Sequence, residues 1–238
     1  MTKSILSIAL LLSGLFLCAQ GRIKGNGNMV TKTITTESYD NISVNGFYDV
    51  VLVSGVEGKI TIEAESNLIA HIAIQSDGKT LKIATEHGRK ISTGNGKSIT
   101  ITVPVEQLSA VSLSGSGDVK TKDAIRSDHF KATLTGSGDV ALHVEARTLE
   151  ADITGSGDMV LSGKSDTFHC TVTGSGDLNA YGLKAGDVSA EVTGSGDCKV
   201  FCLGALQGRV SGSGDIHYKG DPRKTDNKVS GSGGINKA

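Results

Sequence analysis

The chain has no tryptophan, only two prolines, and aromatic residues at 4% of its length. So few rings leave little flat surface on which a sugar could stack. Cysteine is scarce: Cys18, Cys170, Cys198 and Cys202 are the whole set. If Cys18 is lost with a leader, an odd number remains. An odd number cannot all pair internally, so a disulfide-dense secreted scaffold is excluded. Charge of either sign is not in excess. The 24 basic and 25 acidic residues leave a formal charge of −1, which gives no global basic field for nucleic acid or anionic lipid. The six histidines (His71, His87, His129, His143, His169 and His217) are scattered without metal-ligand spacing. None of them adjoins a serine or cysteine in a nucleophile motif. Catalysis therefore has little to stand on.

The N-terminus is different from the rest. Met1-Thr2-Lys3 is followed by an almost uncharged run from Ser4 to Leu17. A short basic start and an apolar stretch of that length read as a secretory signal peptide, residues 1–19, cut near Ala19 or Gln20. Leu17 precedes Cys18, where a lipidated cysteine would follow a small residue, so Cys18 is expected to leave with the leader. No later segment is apolar enough to span a bilayer. The expected product is exported: periplasmic, cell-surface or secreted.

Glycine is abundant, at 32 residues, and periodic. Gly-Ser-Gly-Asp occurs at 115–118, 136–139, 155–158, 174–177, 194–197 and 212–215, and a seventh copy at 231–234 ends in Gly234. The steps are 21, 19, 19, 20, 18 and 19 residues. Two places before each motif stand Leu113, Leu134, Ile153, Val172, Val192, Val210 and Val229. A hydroxyl residue follows each of these. Just after the motif come Val119, Val140, Met159, Leu178, Cys198, Ile216 and Ile235. Further back, Ala132, Ala151, Cys170 and Ala190 continue the alternation. This is a period of two on both sides of a glycine turn: strand, tight turn, strand, with one face buried. A helix would lose about 1 kcal/mol at every glycine. Because each column keeps its chemistry from copy to copy, equivalent residues should stack on one another. The expected fold is therefore an all-β parallel β-helix, or β-solenoid, turning about every 19 residues. An antiparallel sandwich or barrel is the alternative.

The N-terminal half alternates less regularly. Longer strands are expected at 59–64, 70–75, 80–85 and 98–103, the last broken by Pro104. Ser43–Leu52 aligns with the later copies, placing Gly46-Phe47-Tyr48-Asp49 on the Gly-Ser-Gly-Asp turn. Gly25-Asn26-Gly27 reads as a still earlier copy. Tyr39, Phe47 and Tyr48 are candidates to cap the core. No composition break divides the chain, so residues 20–238 are read as one domain. Its irregular rungs and cap span 20–114 and its regular rungs 115–238.

Two elements of the repeat are site candidates. The turn glycines Gly115, Gly117, Gly136, Gly138, Gly155, Gly157, Gly174, Gly176, Gly194, Gly196, Gly212 and Gly214 are read as structural. The column Asp118, Asp139, Asp158, Asp177, Asp197 and Asp215 needs a partner. Stacked at about 4.8 Å, neighbouring carboxylates repel by roughly 0.9 kcal/mol even in water. Either backbone N–H groups of the same or an adjacent rung satisfy them, or a cation such as calcium does. The calcium-roll motif GGxGxDxUx has its aspartate elsewhere and half the period, so backbone bonding is the expected answer. Gly234 fits it: if each aspartate ties its rung to the next, the last rung has nothing to tie. The central serines, Ser116 to Ser232, are expected to be exposed turn residues. Cys170 and Cys198 occupy inward columns as small core fillers, and a 170–198 or 198–202 bridge is open.

Gly25-Asn26-Gly27, the Ile42–Gly46 and Asp49–Leu52 segment, Val103-Pro104 with Leu108, and the Gly-Ser-Gly-Asp series together resemble the autotransporter adhesin head domain, the GIN domain. The resemblance runs over about residues 23–237. It implies a β-helical fold, bacterial export and an adhesion role, in a family of unknown function without established catalytic residues. No translocator barrel is expected from the residues that follow the repeats. The functional expectation is an exported, non-catalytic, adhesin-like module of the cell envelope, without catalytic residues or cofactor. Its partner would be a surface glycan or protein, not nucleic acid, and a second copy could add at the open solenoid edge. The alternatives are a carbohydrate-binding or pectinase-like β-helix and a calcium-stabilised roll.

Overall fold

A computed structural model describes residues 21–94 and 96–238. The expected leader and Cys18 lie outside the described residues. The strand Asp139–Gly155 shows how one rung is built. Burial alternates residue by residue from Asp139 to Ala146, misses a step at Arg147 and Thr148, and resumes at Leu149. A missed step in a period-two pattern is a corner, because the core changes sides. The Gly-Ser-Gly turn supplies another. Each rung thus has two arms that face each other across the core.

The rungs stack in parallel. Leu113, Leu134, Ile153, Val172, Val192, Val210 and Val229 are successive Cα partners in one register. The column after the turn behaves alike, with Val119, Val140, Met159, Leu178, Cys198, Ile216 and Ile235 paired in order. Apart from Val229 and Ile235 in the last rung, these side chains are buried. Burying such an aliphatic side chain contributes about 1.5–3 kcal/mol, and each is covered by its own kind above and below. Parallel pairing excludes the antiparallel sandwich. The β-solenoid read from the columns is the fold.

The N-terminal half joins the stack out of chain order. Asn41–Gly46 lies between Ala110–Gly115 on one side and Thr80–Thr85 on the other, parallel to both. Asp49–Ser54 likewise lies between Asp118–Thr121 and Thr100–Val105. Antiparallel strands then close this end. Lys59–Glu65 pairs with Thr100–Val105 and with Met29–Thr35, and Ile72–Ser76 pairs with Thr80–Thr85. Tyr39 and Tyr48 are buried here. Tyr39 donates its hydroxyl proton to the Pro104 carbonyl at 2.5 Å, and the Tyr48 hydroxyl lies 2.6 Å from Thr85 Oγ1. Burial, and secondarily the charge of Glu57, push the Tyr39 pKa up, which keeps that donor protonated.

Three details differ from expectation. Gly25-Asn26-Gly27 is not an extra rung: Ile23–Lys24 pair with Ile91–Ser92 in a separate two-stranded sheet. Pro104 does not break its strand, which runs Thr100–Val105. It lies past the antiparallel partner, whose register ends at Thr102, so that neighbour asks no N–H of it. The long strands are in the C-terminal half, where Asp139–Gly155 has 17 residues against 7 for Lys59–Glu65. There the ladder continues on both sides of the second corner.

Candidate functional site: the Gly-Ser-Gly-Asp edge

The first glycine of each motif has positive φ, from +119° at Gly174 to +139° at Gly115, a region that only glycine enters without strain. In the first six copies its carbonyl oxygen points to the next rung and accepts two N–H groups there. For Gly136 these are Ser156 N at 2.9 Å and Gly157 N at 3.0 Å. The second glycine is buried in the first six copies and has no room for a side chain: a Cβ on Gly138 would collide with the Gly117 carbonyl oxygen. The serine between them is exposed in every copy. One rung before the first perfect copy, Gly46-Phe47-Tyr48-Asp49 makes the same turn, with Gly46 at φ +139° and its carbonyl accepting Ser116 N at 2.9 Å. Tyr48 ends the column of second glycines.

The aspartates form a chain of their own. Asp158 N–H donates to Asp139 Oδ1 at 3.2 Å, Asp177 N–H to Asp158 Oδ1 at 2.9 Å, and Asp197 N–H to Asp177 Oδ1 at 2.8 Å. The series runs from Asp118, which accepts at 3.4 Å, to Asp215, which accepts from Gly234 N–H at 2.5 Å. The reason lies in the backbone. The Asp158 carbonyl points back and accepts Val140 N–H at 2.9 Å. In the ladder the next aspartate's N–H would turn to the carbonyl of the preceding rung's second glycine, as Asp139 N–H does to Gly117 at 3.2 Å, but Asp177 N–H donates to the Asp158 carboxylate instead. The carboxylate fills that place, and a charged acceptor makes the stronger bond. Gly234, in the last described rung, carries no carboxylate. Among the described residues, no three His, Cys, Asp or Glu side chains gather as a metal-holding group.

At the other corner, a shallow groove of about 810 Å³ runs across several rungs. Its charges are largely matched across rungs: Arg126 to Glu145 at 3.3 Å, Lys164 to Glu145 at 3.5 Å, and Arg147 to Asp128 at 3.4 Å. Exposed pairs of this kind contribute about 0–1 kcal/mol each. This groove was not singled out from the sequence, although the missed step at Arg147–Thr148 marks its corner. Glu65 was missed as well. It is 1% exposed, and its carboxylate accepts Gly27 N–H at 2.5 Å and Gly94 N–H at 2.7 Å. The sequence offered only the two Gly-Asn-Gly triplets at 25–27 and 94–96, far from Glu65 along the chain.

The sequence and the fold both have counterparts among known proteins. The family described as "Putative auto-transporter adhesin, head GIN domain" matches residues 38–222. The chain belongs to the GIN domain family. A crystal structure of a "putative adhesin" from Bacteroides fragilis is similar to it with a TM-score of 0.82 and 23% identity, over 91% of this chain and 100% of that one. A "putative lipid binding protein" from Parabacteroides distasonis superposes with a TM-score of 0.77 and 25% identity, over 92% of this chain and 100% of that one. A "putative adhesin" from Parabacteroides merdae does so with a TM-score of 0.73 and 22% identity, over 91% and 99%. At these identities the likeness shows the GIN fold. No curated protein matches the chain in sequence. Among the described residues, no helix is long and apolar enough to cross a membrane.

Proposed function

We propose that this GIN domain is an exported, non-catalytic, adhesin-like module that offers its solenoid surface to a glycan or protein of another surface. The observation that carries the reading is the exposed edge. Hydroxyl residues such as Thr135, Thr154 and Thr173, and serines such as Ser137, Ser156 and Ser175, recur along it rung after rung on a hydrogen-bonded backbone. Such an edge gives a partner many identical, evenly spaced contacts, which favours multivalent attachment over a single tight site. Export rests on the leader at residues 1–19. Membership of an adhesin head family supports the binding role, and the aspartate Oδ1 atoms already hold backbone N–H groups, which argues against their use as acids or bases.

The lipid-binding description of the Parabacteroides distasonis neighbour points to one more class of target. Here the interior columns are filled by aliphatic side chains at 0–3% exposure, for example Leu134, Ile153, Val172 and Val210. Any lipid would therefore meet the surface and not the core. The test is a glycan array and a host-protein array probed with the purified chain, alongside a polysaccharide depolymerisation assay. The reading expects retention on one class of glycan or protein and no release of sugar fragments. Turnover-dependent release of oligosaccharides would overturn it.

A further inference from the structure

Cys170, Cys198 and Cys202 are free thiols, and all three are buried. The Sγ atoms of Cys170 and Cys198 are 3.5 Å apart. Cys202 is turned elsewhere, its thiol donating toward the carbonyls of Ala205 at 3.3 Å and Gly186 at 3.5 Å.

The repeat itself supplies the comparison. Cys170 stands in a column that passes through Ile42 and Val111, then Ala132, Ala151, Cys170, Ala190 and Gly208, and ends with Asn227; between Ala132 and Gly208 every member but Cys170 is alanine or glycine. Cys198 stands in the column Val119, Val140, Met159, Leu178, Cys198, Ile216 and Ile235, where its neighbours in the stack are the larger Leu178 and Ile216. The columns face each other across the core with an offset of one rung. Cys170 touches Cys198, and a Cβ on Gly208 would lie 2.8 Å from Cδ1 of Ile235. The same offset sets Ala132 opposite Met159, Ala151 opposite Leu178, and Ala190 opposite Ile216. In each of these a small residue faces a large one. At 170 and 198 both members differ from their columns, and both are cysteine. Either change alone would overpack or leave a void in a close-packed core. Together they conserve volume and bring two sulfurs into contact.

We propose that Cys170 and Cys198 are a disulfide site, which in the oxidised protein staples one arm of a rung to the facing arm of the next. The sulfurs must close from 3.5 Å to about 2 Å. The oxidant is of the disulfide class, such as glutathione disulfide or the disulfide of a thiol oxidoreductase. One cysteine thiolate attacks it and releases one thiol. The second cysteine thiolate attacks the resulting mixed disulfide and releases the other. The two protons of the cysteines end on the two released thiols, and the oxidant takes up the two electrons. The contact with Cys198, together with burial, holds the Cys170 pKa well above its ordinary range. Thiolate is therefore scarce once the rungs have stacked, and the bond forms while they come together. The site goes beyond the adhesin reading and stands independently of it.

The test is peptide mapping of alkylated, unreduced protein. One sample is recovered after export, and the other is refolded from denaturant with reduced and oxidised glutathione. The expected result is a peptide pair joined through Cys170 and Cys198, with Cys202 alkylated. Reductant should then lower the wild-type Tm by about 5 °C or more. The double variant Cys170→Ala, Cys198→Leu restores the small–large pair found in the other rungs, so it should fold with a Tm indifferent to reductant. Recovery of all three cysteines alkylated in both samples would overturn the proposal, as would a bridge from Cys198 to Cys202.

Discussion

At the scale of single residues, side-chain carboxylates take up backbone N–H groups that the ladders leave over. The aspartate column does this from Asp158 to Gly234, whereas Asp139 N–H is shared between the Gly117 carbonyl at 3.2 Å and Asp118 Oδ1 at 3.4 Å, and Glu65 does it twice at the capped end. Asp77 does it in the turn before Thr80. The N–H of Thr80, the ammonium of Lys82 and the N–H of Lys79 hold its carboxyl at about 2. A carboxyl whose pKa falls on folding stabilises the native state above its unfolded value, about 3.9, and loses that contribution as pH falls toward the folded value. Asp77→Asn should therefore lower the Tm at pH 7 and flatten its decline between about pH 4 and 2, measured by thermal melts across pH. In the aspartate column, Asp158→Ala should cost about 1–3 kcal/mol by denaturant unfolding, because the N–H of Asp177 loses its acceptor. How legible these residues were depended on repetition. The role of the column could be read from its one exception, Gly234. Glu65 occurs once, and its partners Gly27 and Gly94 lie 38 and 29 residues away, so no local pattern announces it.

At the scale of the element, the turn is governed by how closely one rung's backbone lies on the next. Gly138→Ala should destabilise by about 3 kcal/mol or more or prevent folding, since its Cβ meets the Gly117 carbonyl and not a yielding side chain. Ser137→Ala, one residue away and exposed, should stay within about 0.5 kcal/mol. Equilibrium unfolding in guanidinium measures both. The strand–turn–strand unit was legible because a stacked position repeats its residue type, so every column is a vote on the same geometry. The N-terminal half was less so. Asn41–Gly46 is flanked in space by strands that follow it by tens of residues, and its end is closed by antiparallel pairs. Neither arrangement has a period. That is why Gly25-Asn26-Gly27, which shares composition with the turns, reads in sequence like one of them although its neighbours Ile23–Lys24 pair in a separate sheet.

At the scale of the molecule, the two ends differ. Antiparallel strands and Tyr39 and Tyr48 cover one. At the other, Lys224–Gly231 is exposed throughout, and Val229 is 43% exposed. Rungs in a solenoid stabilise mainly their neighbours. Truncation after Gly220 should therefore lower the Tm by a few degrees with the β-sheet circular dichroism signal retained, whereas deleting residues 21–40 should abolish cooperative melting. Between these ends the aspartates tie rung to rung as hydrogen-bond acceptors, and the proposal is that calcium has no part in the stack. The most direct test replaces Asp118, Asp139, Asp158, Asp177, Asp197 and Asp215 together by asparagine, whose side-chain oxygen remains an acceptor. Thermal melts are then recorded with calcium and with chelator. The prediction is a folded variant with a Tm at or above that of the wild type, and no effect of chelator on either protein. A variant that fails to fold, or a wild-type Tm that falls on chelation and recovers with calcium, would contradict it.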